Sequence, residues 1–402
     1  MRTILQKARI EGVLVFIVIL ITAGCASKQS AVPPALSHLI DSIGIVWVPD
    51  LREGIFDAQL TSSGSELVLR GETTVPEAKN AITDILKQKG VPFLDSLTVL
   101  PEQELSADPW GLVNVSVCNI RFTSSYDAEM VSQALMGTPV KIFKKENGWL
   151  LIQTPDMYLG WVDSDAIALK TTSEHILWKS SERLFYTAKT GDIWSDRTKA
   201  KPVSDIVAGC IAEITGEGRE GFDVRLPDGR IGFIPVGTAV RLEKLQAGEL
   251  LTPGNLVSSA ESFMGIPYLW GGTSAKGFDC SGFVKTVYFL NGIILDRDAS
   301  QQFQNGLRIR ARRESFPDSL KAGDLLFFGS SRRGRPRATH VGMYIGNGEF
   351  IHCSGMVKIN SLDSTRVNFS RARRDSYLGA RRMIGTQSGK GAMPLPEHPW
   401  YF

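Results

Sequence analysis

The sequence predicts a multidomain chain in which a small N-terminal α/β module precedes two small β-barrels and an α+β C-terminal domain. The chain has 402 residues, more than one domain of about 150 residues would need. A strand–turn–strand pattern occurs twice in its middle, and a helix pattern followed by three strand patterns fills its C-terminal third. The net charge of +3 gives no reason to expect a nucleic-acid partner.

The N-terminal residues have the pattern of an export signal. Basic residues between positions 2 and 9 precede the apolar run 13–21, which is too short to span a bilayer. Cys25 follows Ala-Gly, and this resembles the bacterial lipoprotein signal. The resemblance implies a lipidated Cys25 at the end of a signal segment 1–25, with a plain cleaved signal as the alternative. We therefore expect an exported cell-envelope protein, anchored by lipid to a bacterial membrane on the periplasmic or outer-surface side.

A polar tether is predicted for residues 26–40, followed by a small α/β module over 41–110. Two strand patterns flank a serine–glycine turn, which indicates a hairpin. Pro76 suits the first position of a helix that Gly90 ends, and a further strand follows. No chemistry is visible in this module, so its expected role is a spacer or a packing surface.

The repeat in the middle of the chain is an aromatic strand, a tight turn and a second strand that begins with glycine and an aromatic residue. One copy runs from Gly148 to Val162 and the other from Gly221 to Ile234. Both copies resemble the bacterial Src-homology-3-like (SH3-like) domain, a small β-barrel. The resemblance implies one barrel over 111–175 and a second over 176–248.

The C-terminal domain, predicted for 249–388, contains a cysteine where a helix should begin. Cys280 follows a glycine-rich segment and opens an apolar pattern that ends at Asn291-Gly292. A helix N-terminus and a nearby imidazolium favour the thiolate and can lower a thiol pKa from about 8.5 to roughly 3.5–7.5. His340 and His352 can supply the base and the group that orients it. The Pro-rich tail 389–402 is expected to lie over the surface.

Five short motifs in this domain resemble those of the NlpC-type peptidases, a bacterial branch of the papain-like cysteine peptidases that cut cell-wall peptides. They occur in the family's order and are Tyr268-Leu269-Trp270-Gly271-Gly272, Asp279-Cys280-Ser281-Gly282, Ala322-Gly323-Asp324-Leu325, His340-Val341-Gly342-Met343-Tyr344 and Phe350-Ile351-His352. The resemblance implies a papain-like α+β fold in which Cys280 is the nucleophile, His340 the base and His352 the residue that orients His340.

The neighbours of the cysteine each have two interpretations. Tyr268 either adds its hydroxyl to an oxyanion hole begun by the Cys280 N–H or is an aromatic residue lining the site. Asp279 either caps the helix or binds a substrate amine. Ser281 either hydrogen-bonds substrate or simply occupies the first helical turn. Zinc is not expected, because the sequence lacks paired cysteine spacing and His352 and Cys353 should face opposite sides of a strand; no metal or cofactor is predicted.

The two histidines also permit a test of strand register. Side chains alternate between the faces of a strand, so a two-residue turn at Asn347-Gly348 would send His340 and His352 to opposite faces. A three-residue loop, or an equivalent bulge, pairs Gly342 with His352 and places both histidines on one face. We predict the loop or bulge.

The domain order resembles that of the γ-D-glutamyl-diamino-acid endopeptidases. This implies hydrolysis of the γ-D-Glu–diamino acid bond in peptidoglycan-derived peptides (L-Ala-γ-D-Glu-diamino acid). We expect the protein to be a monomer. In that subgroup the first barrel narrows the cleft, and an acidic and an aromatic barrel residue hold the free amine with Asp279 and Ser281. Glu129 and Trp161 are the predicted barrel residues, with Tyr158 as the alternate for Trp161.

Three other functions are compatible with the sequence. The protein could be a less selective endopeptidase acting on intact wall, with the barrels as wall-binding modules. It could instead be an inactive wall-binding lipoprotein, or a thiol acyltransferase on a related scaffold.

Overall fold

The computed structural model describes residues 32–64, 66–246, 250–310, 319–386, 389 and 391–402. The signal segment 1–25, its Cys25 and the tether before residue 32 therefore lie outside the described residues. Of the helices that the structure describes, none combines the length and hydrophobicity that crossing a membrane requires.

The N-terminal module is a three-stranded sheet packed against two helices. Its elements are α1 (Pro34–Trp47), β1 (Phe56–Ser63), β2 (Glu66–Thr73), α2 (Pro76–Gln88) and β3 (Phe93–Val99). Strands β1 and β2 form the predicted antiparallel hairpin, and β3 pairs parallel to β2. The predicted helix at Pro76 and the strand after it are both present.

Helix α1 begins inside the segment 26–40, so the predicted tether is wrong from residue 34 onward. Pro34 occupies the first turn, where the missing N–H costs nothing. Leu36 and Ile40 lie four residues apart and are buried with Ile82 and Leu86 of α2. This apolar face makes the segment a helix instead of a polar linker.

Two seven-stranded sheets follow, joined by a helix. The first sheet contains β4 (Trp110–Val113), β5 (Val117–Arg121), β6 (Met130–Leu135), β7 (Pro139–Glu146), β8 (Trp149–Gln153), β9 (Leu159–Asp163) and β10 (Ile167–Lys170). After α3 (Thr172–Ser180), the second contains β11 (Arg183–Tyr186), β12 (Thr190–Trp194), β13 (Pro202–Val207), β14 (Ile211–Gly218), β15 (Gly221–Arg225), β16 (Ile231–Pro235) and β17 (Ala239–Arg241). We call these the first and second β-domains.

Both β-domains have the same topology. Their orders are β10-β4-β7-β8-β9-β5-β6 and β17-β11-β14-β15-β16-β12-β13, which match strand for strand. The predicted repeat corresponds to the β8–β9 and β15–β16 hairpins. The predicted boundary at 175/176 is wrong, because it cuts α3, whose start is fixed by a capping box between Thr171 and Glu174. Cys118 of the first β-domain and Cys210 of the second are both buried free thiols.

The C-terminal domain is a six-stranded antiparallel sheet with α6 packed on one face. Its elements are α4 (Glu243–Gln246), α5 (Pro253–Glu261), β18 (Thr273–Ser274), β19 (Gly277–Phe278), α6 (Cys280–Leu290), β20 (Ile293–Leu295), α7 (Ala299–Gln302), β21 (Leu307–Ile309), β22 (Leu325–Arg332), β23 (Arg335–Gly346), β24 (Glu349–Ser354), β25 (Met356–Ser361), α8 (Arg371–Asp375), β26 (Tyr377–Arg382) and β27 (Ala392–Pro394). The sheet order is β21-β26-β22-β23-β24-β25. Phe283 and Val287 of α6 share a core with Val341 and Met343 of β23.

The tail 389–402 does not lie over the surface as predicted. Strand β27 pairs with β20, and Leu395 and Tyr401 are buried together with Leu112 of the first β-domain and Trp178 of α3. The Tyr401 carbonyl accepts a 2.7 Å hydrogen bond from Nη1 of the buried Arg183. Because the tail carries large apolar side chains, it completes a core shared by several domains.

Replacing Tyr401 with alanine should destabilise the protein by about 3–5 kcal/mol, because the ring leaves a cavity in this shared core. Glu397→Ala, which changes an exposed side chain of the same segment, is the matched control. The measurement is the thermal unfolding midpoint of each variant. Equal midpoints for Tyr401→Ala and the control would contradict the role assigned to the tail.

Candidate active site

Cys280 is the first residue of α6 and faces a cleft between the first β-domain and the C-terminal domain. Asp279 is the N-cap, and its carboxylate accepts a 2.7 Å hydrogen bond from the Gly282 N–H. Cys280 as a residue is 7% exposed and lines a cleft of about 340 Å³. Backbone N–H groups in the first turn of a helix have no acceptor within the helix, so the Cys280 N–H is available to an incoming oxygen.

The thiol lies against β23. The backbone N–H of Val341, the residue that follows His340, acts on this sulfur and lowers the pKa of Cys280, against the larger effect of burial. Residues 337–339 of the same strand line the cleft beside Cys280. Although Cys280 and His340 are 60 positions apart in the sequence, the fold brings this strand and the helix start together.

The register of β23 and β24 agrees with the prediction. Met343 pairs with Ile351, and a bulge then shifts the register before the turn at Asn347-Gly348. This register places Gly342 opposite His352, and a Cβ added at Gly342 would lie 3.0 Å from the His352 Cβ. Both histidines therefore share one face, and His340 Nε2 lies 2.7 Å from His352 Nδ1.

A chain of hydrogen bonds assigns the protons on these rings. Asn360 donates from Nδ2 to the Asn368 carbonyl at 2.9 Å, which directs Oδ1 of Asn360 at Nε2 of His352, also at 2.9 Å. Because that oxygen can only accept, His352 carries its proton on Nε2 and accepts on Nδ1. His340 must then donate from Nε2, which leaves its Nδ1 unprotonated and able to take a proton from a thiol.

Burial opposes charge on the thiol and on both imidazoles. It raises the pKa of Cys280 to about 11, with the nearby Asp279 carboxylate adding to the increase. Burial likewise lowers the pKa of His352 to about 4. It lowers the pKa of His340 well below its ordinary value, and the positive charge of Arg373 lowers it further. Burial of the sulfur therefore acts against the lowering of the thiol pKa that we expected, because desolvation disfavours the thiolate.

Asp279 is paired with a buried arginine that the sequence did not reveal. The Arg297 side chain is 1% exposed, and its Nη2 lies 2.5 Å from Asp279 Oδ2. Arg297 also donates to Ser281 Oγ at 3.1 Å and, across the domain boundary, to Ser132 Oγ at 3.0 Å. Asp279 therefore caps the helix as one of its two interpretations proposed, and Ser281 belongs to the same network.

One of the two residues predicted on the first β-domain lines the cleft. Glu129 lines the cleft, and its carboxylate accepts a 2.7 Å hydrogen bond from Trp270 Nε1. Trp161 does not, because its side chain packs with Leu151 and Ile55 toward the N-terminal module. The alternate residue, Tyr158, lines the cleft instead.

Tyr268 also lines the cleft and is 36% exposed. Burial of part of the ring, followed by the nearby thiol and Asp279, raises the pKa of its hydroxyl to about 12. The hydroxyl therefore keeps its proton at neutral pH and can donate a hydrogen bond. Within the described residues, no group of three or more His, Cys, Asp or Glu side chains is placed to hold a metal ion.

Three residues of the site were missed from the sequence: Arg297, Asp298 and Asn360. Arg297 and Asp298 lie in the charged run Asp296–Asp298 next to a predicted turn, which is the one signal that could have drawn attention to them. Asn360 carries no distinguishing pattern, because its role depends on the pairing of β24 with β25.

Comparisons with known proteins agree with this geometry. Residues 265–373 match the model of the NlpC/P60 family, and this match spans the thiol and both histidines. The C-terminal domain is an NlpC/P60 domain. Together with its thiol and imidazole pair, this assigns the chain to the cysteine peptidases, which are hydrolases. Residues 120–167 match the model described as the bacterial dipeptidyl-peptidase Sh3 domain.

Individual proteins also resemble this chain. A gamma-D-glutamyl-L-lysine dipeptidyl-peptidase of Bacillus cereus is 28% identical over 269 residues, 64% of this chain and 76% of that protein. Dipeptidyl-peptidase 6 of Lysinibacillus sphaericus is 27% identical over 262 residues, 63% and 92% of the two chains. A crystal structure of an NlpC/P60 family protein from Bacillus cereus covers 68% of this chain and 99% of its own, with a TM-score of 0.59 and 23% identity. At that identity the structural likeness concerns the fold alone.

Alkylation of Cys280 by iodoacetamide should accelerate about tenfold per pH unit between pH 7 and 9, because the buried thiol of the free enzyme is protonated in this range. The rate is measured by quantifying the modified Cys280 peptide by mass spectrometry. The thiols of Cys118 and Cys210 are buried and provide internal controls. A rate that is constant from pH 6 to 9 would instead indicate a thiolate already paired with an imidazolium.

Substituting Asn360 with alanine should lower kcat about tenfold or more and change KM little. Without the Asn360 oxygen, nothing in the hydrogen-bond chain fixes which ring nitrogen of His352, and therefore of His340, carries the proton. Asn360→Asp provides a conservative comparison that keeps an acceptor oxygen facing His352. Steady-state kinetics on a cell-wall peptide measure both. A kcat equal to that of the unchanged enzyme in Asn360→Ala would show that His352 is oriented by other groups.

Proposed function

We propose that this cysteine peptidase hydrolyses the γ-D-glutamyl–diamino acid bond of peptidoglycan peptides that have a free N-terminal L-Ala. The observation that carries the proposal is the position of Glu129, an acidic side chain of the first β-domain that shares a cleft with Cys280. A carboxylate at that position suits the ammonium group of a short peptide whose scissile carbonyl lies at the thiol.

The charges around the cleft favour Glu129 as the partner of that ammonium group. Asp279 is paired with Arg297, and Asp298 is paired with Arg52 at 2.8 Å. Among the described residues, no salt bridge to Glu129 is present, and its carboxylate accepts from the neutral Trp270 indole. A substrate amine would therefore supply the missing positive charge.

The first β-domain is held firmly enough to act as a wall of the cleft. Gln133 of β6 accepts from the Thr273 N–H at 3.0 Å and from Ser274 Oγ at 3.0 Å. The backbone carbonyl of Gln133 accepts a further hydrogen bond from Thr273 Oγ1 at 3.0 Å. A peptide that extends beyond its N-terminal L-Ala on this side would have to displace the first β-domain. The domain therefore favours peptides with a free amine over intact peptidoglycan.

The hydrogen-bond chain supports acyl transfer in two steps. His340 Nδ1 takes the thiol proton as the Cys280 sulfur attacks the γ-carbonyl carbon, and the resulting oxyanion accepts from the Cys280 N–H and the Tyr268 hydroxyl. His340 then returns that proton to the leaving amine of the diamino acid, which leaves a thioester. Water hydrolyses the thioester, again with His340 as base, and regenerates the thiol.

The names of the relatives are consistent with this proposal, since one is a gamma-D-glutamyl-L-lysine dipeptidyl-peptidase. Other relatives are described as peptidoglycan endopeptidases, such as the probable peptidoglycan endopeptidase LytE of Bacillus subtilis. The second β-domain, which shares the strand order of the first, is included in the proposal as a second SH3-like domain. A lipid on Cys25 would hold the enzyme at the cell envelope.

The unchanged enzyme should cut L-Ala-γ-D-Glu-diamino acid but not its N-acetylated form, because acetylation removes the charge that Glu129 is proposed to bind. Glu129→Gln should raise KM for the free peptide about tenfold, as expected for losing one charge-assisted contact. Mass spectrometry of the products from both peptides, and from purified sacculi, measures these outcomes.

Cys280→Ala is the negative control and should abolish hydrolysis. Asp127→Asn changes an exposed carboxylate of the same β5–β6 connection and should leave KM unchanged. Cleavage of the acetylated peptide or of intact sacculi at the rate of the free peptide would contradict the proposed amine selectivity. Turnover unaffected by Cys280→Ala would contradict the thiol mechanism itself.

A further inference from the structure

The N-terminal module, predicted to be a spacer or a packing surface, contacts residues that line the cleft. The connection between α1 and β1 lies against the start of α7. Arg52 donates from Nη1 to Asp298 Oδ2 at 2.8 Å and to Ser300 Oγ at 2.9 Å. Asp298 and Ser300 both line the cleft that contains Cys280. The N-terminal module therefore contacts the cleft wall, in addition to the first β-domain and the C-terminal domain that form it.

The position of Arg52 is fixed by several independent contacts. Asp50 accepts from Arg52 Nε at 2.8 Å and from Nη2 at 2.7 Å, a two-pronged pairing that orients the guanidinium plane. The Arg52 carbonyl accepts from the Leu159 N–H of the first β-domain at 2.8 Å. Gln301 of α7 also donates to Asp50, at 3.2 Å. Arg52 is thus held by its own module, by the first β-domain and by the C-terminal domain.

Arg52 is the principal cation beside Asp298. The other guanidinium, that of Arg297, lies 3.9 Å away and is engaged by Asp279 at 2.5 Å. The hydroxyl of Tyr158 donates to the same Asp298 oxygen at 3.5 Å. Without Arg52, the negative charge of Asp298 would face the cleft with little compensation.

We propose that Arg52 is a positioning residue of the peptide cleft, supplied by the N-terminal module, which orients and neutralises Asp298 so that the cleft accepts an anionic peptide. The inference rests on the proposed function, because it takes the substrate to be a γ-D-glutamyl peptide with a free α-carboxylate. An uncompensated Asp298 would repel that carboxylate, whereas a paired Asp298 leaves the cleft able to bind it.

Steady-state kinetics of the full chain test this inference with two peptides. One is L-Ala-γ-D-Glu-diamino acid, and the other has the same sequence with the α-carboxyl of D-Glu amidated. Arg52→Met should raise KM for the first peptide about fivefold, the size expected for a charge pair that is about one-third exposed, and change kcat less than about twofold. KM for the amidated peptide should stay the same, because it lacks the repelled charge.

Three further variants separate this charge effect from a loss of module docking. Arg52→Lys should restore most of the affinity. Asp298→Asn combined with Arg52→Met should return KM toward that of Asp298→Asn alone. Arg70→Met, which changes an exposed arginine of β2, is the matched control and should match the unchanged enzyme.

The outcomes distinguish this inference from the proposed function. If the unchanged enzyme cuts the peptide and Arg52→Met raises KM equally for both peptides, or not at all, the inference is overturned and the proposed function stands. An unchanged enzyme that cuts neither peptide would overturn the proposed function, and the inference with it.

Discussion

The site depends on the buried ion pair between Asp279 and Arg297. Asp279 caps the helix that presents Cys280, and it also accepts a 3.1 Å hydrogen bond from the Gly271 N–H of the glycine-rich segment. Arg297 extends the same network to Ser132 of the first β-domain. Removing one member of a buried pair leaves an uncompensated charge at a cost of about 3–5 kcal/mol. The same ion pair therefore stabilises the start of α6 and the docking of the first β-domain. The adjacent Asp298 connects it to Arg52 of the N-terminal module.

The second constraint is geometric and concerns one extra residue. The bulge before the Asn347-Gly348 turn shifts β23 against β24, and without it the two histidines would occupy opposite faces of the sheet. Once they share a face, the fixed amide of Asn360 determines which ring nitrogen holds each proton. A pair of neutral rings can then accept the thiol proton during the reaction, so the buried site has no need to stabilise a separated thiolate beforehand.

Features set by local patterns were predictable from the sequence. The helix at Cys280, the two repeated hairpins and the strands that carry the histidines depend on periodicity and turn residues within short windows. The histidine register was accessible because side-chain alternation along two adjacent strands limits the choices to two. Cap and turn chemistry also identified the helix at Pro76.

Features set by contacts between distant segments were not predictable. Arg52 and Asp298 are separated by 246 positions, and no pattern in either segment indicates the other. Trp161 was predicted with Tyr158 as its alternate, yet which side chain faces the cleft depends on how the first β-domain docks. The effect of burial on the thiol pKa was not predictable for a related reason, since the sequence shows the helix N-terminus but not the depth at which the sulfur is buried.

The C-terminal segment has a consequence for attempts to divide this protein. Phe289 and Ile294 of the peptidase domain pack in one core with Leu112, Phe185 and Tyr401, so their partners come from both β-domains and from the C-terminal tail. A fragment beginning near residue 249 would expose a large apolar surface in place of that core and would tend to aggregate in water. The peptidase domain therefore shares part of its core with both β-domains, and dividing the chain would expose the apolar side chains of that core to water.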